Sequence, residues 1–358
     1  MELLYRGDRR KLRPAEDMPP EGTREVFVFP HRNAFLGSRS ERFEKDSREL
    51  SGMLKIVEQR VAATGDAEPP RVMGVRYTQD TSAPQMLDRM ADYYHRPDRH
   101  SSADAQQFVD TVLLPRLMRG QKHPFATVIQ HRMSALTFVS HSFGAVFAQE
   151  VANALRDRLA EHGYAERDIG RICRSAVLIS TSGPNVVHTV APHFIALNFR
   201  NPADQELDTT MKLVAPLLPL KGLSVDQIKS AIEWPFEKRD SRCHPVPDGM
   251  LVYAPIAKGL RYQDGDRERV IGKGNEGEKQ NISHSPAPFW HPALSEVPQS
   301  QMLANRLINQ SLANALSPRQ RGQGEVNAKR LMLEGRLLSA EERSMVDKVF
   351  ATQGQYRQ

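Results

Sequence analysis

The residue types in segment 140–144 are those of a covalent catalyst. The segment reads Ser-His-Ser-Phe-Gly, with Ser142 at its centre, and it lies between an apolar, β-prone run at 136–139 and apolar residues at helical spacing over 145–155. A serine in a sharp turn between a strand and a helix is held in a strained conformation that exposes its hydroxyl. The first N–H groups of the helix stabilise a developing oxyanion. The pattern predicts a nucleophile for acyl transfer, with an ordinary Ser/Gly turn as the alternative.

The segment resembles the nucleophile elbow of the α/β-hydrolase superfamily, whose motif is G-x-S-x-G. Ser140 stands at the first glycine position and Gly144 at the second. The residues two before and two after the nucleophile pack against each other and must be small, which serine satisfies. The resemblance implies a serine esterase or lipase-like enzyme with its triad in the order serine, aspartate, histidine. His141, next to the nucleophile, is common in lipase-like members.

The resemblance also implies where the other two triad members lie. The acid is expected after the strand predicted at 193–199, where Asp204 matches in position and Asp208 is an alternative. Asp204 would accept the Nδ1–H of the histidine, although an aspartate there is also typical of a helix cap. The base is expected after the last strand. We favour His284, which is followed by a small residue and a short aromatic-containing stretch, over His291, which precedes a proline.

Two peptide N–H groups are expected to form the oxyanion hole. One belongs to Phe143, the residue after the nucleophile. The resemblance implies that the other comes from the loop after the first predicted strand, 24–29, where His31 resembles the histidine of an H-G motif. Arg32 stands where glycine is usual, and Pro30 has no N–H, so we assign Arg32 or Asn33. The alternative is a solvated exit from the strand.

Alternating strands and helices must position these residues. The sequence therefore predicts an α/β fold with a mostly parallel central sheet and helices on both faces, plus a helical C-terminal extension. We divide the chain into a polar lead-in (1–23), a hydrolase domain (24–316) and a helical tail (317–358). Six strands are predicted, with a hairpin over 260–271; helices are predicted at 47–62, 85–94, 103–118 and after the elbow to about residue 160. The six strands are 24–29, 71–77, 136–139, 175–180, 193–199 and 250–254.

Composition restricts the class of protein. The chain has 358 residues, 39% of them hydrophobic, and a net charge of +6. Its basic residues are scattered and not interleaved with aromatics, which argues against nucleic-acid binding and leaves room for weak contact with anionic membranes. Neither Cys173 nor Cys243 lies in a metal-ligand pattern, so we expect no metal site. The N-terminus lacks a signal peptide and no run is long enough to span a membrane. We expect a cytoplasmic location, with export by another route left open.

The function expected from the resemblance is hydrolysis of a lipid or small acyl ester through a Ser142-Asp204-His284 triad and an acyl-enzyme intermediate. No cofactor is required by that chemistry. Two alternatives remain: a hydrolase-fold protein that binds or scaffolds without turnover, and a secreted effector that engages a membrane or protein partner. The sequence does not indicate the acyl group, the leaving group or an oligomeric state.

Overall fold

The computed structural model describes residues 2–6, 12–15, 17–30, 39–63, 68–77, 89, 101–181, 194–200, 243–246, 249–253, 261–264 and 267–270. Eleven strands lie in these ranges: β1 (Glu2–Arg6), β2 (Leu12–Pro14), β3 (Glu25–Phe29), β4 (Arg71–Arg76), β5 (Leu136–His141), β6 (Val177–Thr181), β7 (Ile195–Arg200), β8 (Cys243–Val246), β9 (Gly249–Tyr253), β10 (Arg261–Asp264) and β11 (Arg267–Val270). The helices are α1 (Arg39–Ala62), α2 (Ala103–Phe108), a π-helical segment (Val109–Leu113), α3 (Leu114–Met118), α4 (Ala126–Met133), α5 (Gly144–Glu161) and α6 (Glu166–Cys173).

Nine of these strands form one mixed sheet in the order β2-β1-β4-β3-β5-β6-β7-β9-β8. The six strands from β4 to β9 in that order are mutually parallel, whereas β1, β2 and β8 pair antiparallel. This arrangement confirms the predicted α/β class and the six predicted strands. The predicted hairpin is present as the separate pair β10–β11. Helix α5 matches its predicted position, α1 ends as predicted but begins at Arg39 rather than at residue 47, and 103–118 is helical throughout.

The sheet carries helices on both faces. Along β3, Phe27 and Phe29 contact Phe108 of α2 with ring centroids 5.4 and 5.6 Å apart. Val28 and its register partner Gly74 of β4 belong to the other face. There Leu50 and Leu54 of α1 occupy the space in which a side chain at residue 74 would lie. Because side chains alternate along a strand, α1 and α2 lie on opposite faces. The sheet is covered on both faces at its centre, which explains why β3 and β5 are buried at every residue.

The helical stretch 103–118 contains a π-helical segment that its sequence explains. Pro115 has no N–H, and its ring clashes with the carbonyl four residues earlier in a regular helix. The backbone widens just before it, and the Leu114 N–H donates to the Val109 carbonyl. Side chains donate to carbonyls in the same region: Thr111 Oγ1 to Gln107 O at 2.7 Å and Arg116 Nη1 to Val112 O at 3.0 Å. These bonds compensate for the interrupted ladder.

Several elements were not predicted from the sequence. Within the lead-in, β1 and β2 form an edge hairpin, in which β1 pairs with β4. Helices α4 and α6, and the edge strand β8, were also missed. The helix predicted at 85–94 lies outside the described residues except for Arg89, and the helical tail predicted at 317–358 lies wholly outside them.

Candidate active site

The backbone at Ser142 is left-handed, with φ of +51°. A non-glycine residue in this conformation costs of order 1–3 kcal/mol and persists only where the surroundings enforce it. Ser142 lies between the last residue of β5 and the first residue of α5, so the chain turns from strand to helix around it. Among the described residues, the other non-glycine with positive φ is Arg119, which caps the end of α3 as left-handed residues commonly do. The strain at Ser142 therefore belongs to a sharp strand-to-helix turn rather than to a helix end.

Gly144 allows α5 to begin directly against the end of β3. A Cβ at this position would overlap the carbonyl oxygen of Phe29 and lie 3.0 Å from the carbonyl oxygen of Pro30. Both are backbone atoms, which cannot rotate away as a side chain can. A side chain at residue 144 would therefore push the helix and Ser142 away from β3.

This junction lies at a topological switch point of the sheet. From β3 the chain crosses to β4 on one side and then returns to β5 on the other side of β3. In open α/β sheets, ligands bind outside the carboxyl ends of the strands at such a point. Ser142 follows the carboxyl end of β5, and Pro30 follows that of β3. The sheet topology and the strained serine thus indicate the same location.

Thr181, the last residue of β6, holds the elbow from the other side. Its carbonyl accepts the Ser142 N–H at 3.0 Å, and its hydroxyl donates to the Ser140 carbonyl at 3.3 Å. The Nδ1 of His141 lies 3.0 Å from the same Thr181 carbonyl. A carbonyl can only accept, so that nitrogen carries the proton. These contacts enforce the unfavourable conformation of Ser142 and fix the ring of His141 as a structural group.

Tyr77, which follows β4, supports the elbow from the side of β3 by binding Pro30, the first residue after that strand. Its hydroxyl donates to the Pro30 carbonyl at 2.7 Å, and its ring stacks on Phe147 of α5 with centroids 4.2 Å apart. Phe147 also contacts Phe29 edge-on at 5.2 Å. The end of β3 and the first turns of α5 are thereby packed as one unit around the elbow.

The N-terminal peptide N–H groups of α5 lie next to Ser142. Phe143 occupies the N-cap position with no side-chain cap, and the first N–H groups of any helix have no partner within it. The positive end of the helix dipole lies at the same place. Arg89 adds a cation whose Cζ lies 5.2 Å from the centroid of the Phe143 ring, and Glu150 of α5 binds this guanidinium through both carboxylate oxygens.

The structure places some of the predicted site residues and not others. Ser142 and Phe143 lie at the strand-to-helix turn where the sequence puts them. Arg32, Asp204, His284 and His291 lie outside the described residues, as do the alternatives Asn33 and Asp208. The triad therefore stays a prediction. Arg200 ends β7, the second strand from β5 on the side of β6, so Asp204 follows a strand that reaches the same edge as Ser142.

Sequence reasoning missed the residues that support the elbow. Thr181, Tyr77 and the Arg89–Glu150 pair carry no motif of their own. One signal was available: segment 145–155 is largely apolar, so a glutamate at residue 150 needs a cationic partner if the helix is buried.

No protein-family model and no curated protein matches this chain. Within the ranges that the structure describes, no helix is long and apolar enough to cross a bilayer. The same residues contain no group of three or more histidine, cysteine, aspartate and glutamate side chains placed to bind a metal ion.

Proposed function

We propose that this protein is a serine hydrolase of the α/β-hydrolase type, with Ser142 as nucleophile and a lipid or small acyl ester as substrate. The observation that carries the proposal is the left-handed Ser142 at a switch point, between a buried parallel strand and a helix N-terminus. Strain of this kind concentrates at functional sites, and an ordinary turn would place glycine or asparagine there. Assignment of the mostly parallel sheet to the α/β-hydrolase fold, and a helical extension over 317–358, are part of the same proposal.

The proposed chemistry is acyl transfer to water. Ser142 Oγ attacks the ester carbonyl and loses its proton to His284, with His291 as the alternative base. The protonated imidazole, held by Asp204, then donates that proton to the leaving alcohol, and water repeats the sequence to release the acid. The carbonyl oxygen becomes an oxyanion that accepts hydrogen bonds from the N–H of Phe143 and from the Arg32 region. Each such donor contributes roughly 3 kcal/mol to lowering the barrier.

The proposal also covers cofactors, partners and location. No metal or cofactor takes part in the proposed steps. A net charge of +6 favours acidic partners or weak contact with anionic lipid, and we place the protein in the cytoplasm. Nucleic acid is not among the proposed partners.

A p-nitrophenyl ester series from acetate to palmitate tests the proposal. We expect saturable hydrolysis that peaks at one chain length and falls by at least a thousandfold in Ser142→Ala. Ser134→Ala is the control, because Ser134 lies in the turn before β5 and its hydroxyl donates to the His131 carbonyl, at the opposite end of the strand from Ser142. Equal activity of wild type and Ser142→Ala would refute the nucleophile. Absence of turnover on every ester, thioester and amide tried would favour a binding or scaffolding protein.

A further inference from the structure

A buried ion pair lies against the side chain of Phe143. Arg89 Nε donates to Glu150 Oε1 at 3.0 Å, and Arg89 Nη2 donates to the other carboxylate oxygen. The hydroxyl of Ser102 donates to the same carboxylate at 2.6 Å. Each of the four side chains of this cluster, including the Phe143 ring, is more than nine-tenths buried.

The pair connects distant parts of the chain at the start of α5. Glu150 lies within α5, Phe143 caps that helix, and Arg89 reaches the site from the region between β4 and α2. Removing a carboxylate and a guanidinium from water is costly, and apolar residues would usually fill the space at lower cost. A cation on an aromatic face also interacts more strongly where water is excluded. The Phe143 ring is thus held in one orientation by a charge that is itself fixed by two hydrogen bonds.

We propose that Arg89, held by Glu150, is a positioning residue that fixes Phe143 and so aims the Phe143 N–H at the oxyanion. In this role Arg89 acts on the oxyanion through the Phe143 ring, with which it makes a cation–π contact. The inference rests on the proposed function, since it assigns a role in the oxyanion hole of that same site. An oxyanion-hole donor is effective only when it is preorganised, and small displacements of such groups reduce rates strongly.

The chain contains a matched pair that serves as a control. Arg116 binds Glu25 through both carboxylate oxygens, at 2.6 and 3.1 Å, and its Cζ lies 5.6 Å from the centroid of the Phe27 ring. These side chains are as buried as those of the first cluster. Glu25 begins β3, so this second cluster lies at the opposite end of the strands from Ser142. Lysine cannot reproduce the bidentate, stacked arrangement at either position.

The experiment compares Arg89→Lys with Arg116→Lys on the p-nitrophenyl ester that wild type cleaves fastest. We expect both variants to lose stability to a similar extent. Only Arg89→Lys should lower kcat, by about tenfold or 1.4 kcal/mol, with KM within twofold of wild type. Its inhibition constant for a boronic acid, which mimics the oxyanion, should rise by the same factor. Arg116→Lys should leave kcat and inhibition within twofold.

A double-mutant cycle adds a readout that a purely structural role would not produce. Phe143→Leu keeps the N–H and removes the ring, so we expect Arg89→Lys to have no further effect on kcat in that background. If Arg89→Lys does not fold, Glu150→Gln replaces it in the cycle with the same expectation. Equal kcat in Arg89→Lys and Arg116→Lys, or additive effects in the cycle, would overturn the positioning role while leaving the hydrolase proposal intact. A wild type without Ser142-dependent hydrolysis would overturn both.

Discussion

Replacing Ser142 by glycine and by alanine measures the backbone strain at the elbow directly. At φ of +51° a side chain costs about 1–2 kcal/mol relative to glycine. Glycine loses about 0.4–1 kcal/mol through the greater entropy of its unfolded chain. Both variants lack the hydroxyl, so that contribution cancels between them. We therefore expect the free energy of unfolding of Ser142→Gly to exceed that of Ser142→Ala by about 1 kcal/mol.

Urea unfolding followed by circular dichroism, with thermal unfolding alongside, provides the assay. The expected difference corresponds to roughly 2 °C in Tm for a chain of this size. Ser134, with φ of −65°, is the matched control, and its side-chain bond to His131 is lost equally in both variants. There alanine should be the more stable variant, by about 0.4–1 kcal/mol. An alanine variant at residue 142 as stable as the glycine variant would refute the strained elbow.

Three further outcomes follow from the same contacts. Gly144→Ala should lower kcat/KM by a hundredfold or more and destabilise the fold by about 1–3 kcal/mol, because its Cβ meets the backbone at the end of β3. Ester hydrolysis and urea unfolding measure the two effects. Unchanged activity would contradict the close approach of α5 to β3. Tyr77→Phe and Tyr164→Phe each remove a hydroxyl that donates to a proline carbonyl, at 2.7 and 2.6 Å, so each should lower the free energy of unfolding by about 1 kcal/mol. Only Tyr77→Phe should also lower kcat/KM, by about threefold or more. Equal activities of the two variants would separate Tyr77 from the site. Burial raises the pKa of Cys173 to about 12, so at pH 8 its thiol stays protonated and should react with an iodoacetamide reagent only when the protein unfolds. Mass spectrometry in a Cys243→Ser background measures this reaction. Labelling of the native protein would contradict the burial of Cys173.

The sequence was sufficient for the parallel centre of the sheet because its strands obey local rules. The runs around Phe27, Phe138 and Ile179 are short, apolar and rich in β-branched or aromatic residues, as fully covered strands are. The turn at Ser142 was also predictable, since a small residue at 144 and a helical pattern after it are local features. The left-handed φ agrees with that prediction.

Other features depend on contacts between distant residues, which no local pattern encodes. β1 carries Glu2, Tyr5 and Arg6 and is exposed in part, and it becomes a strand by pairing with β4. Thr181 resembles any residue at the end of a strand, and its role arises only because β6 adjoins β5. The pairing of Arg89 with Glu150 joins residues 61 positions apart.

Identification of the residue that carries the covalent intermediate tests the central claim most directly. The protein would be treated with a fluorophosphonate, digested, and the modified peptide sequenced by mass spectrometry. We predict one adduct per chain, on Ser142, and none in Ser142→Ala. An adduct on another residue, or equal modification of Ser142→Ala, would contradict the assignment of Ser142 as the nucleophile.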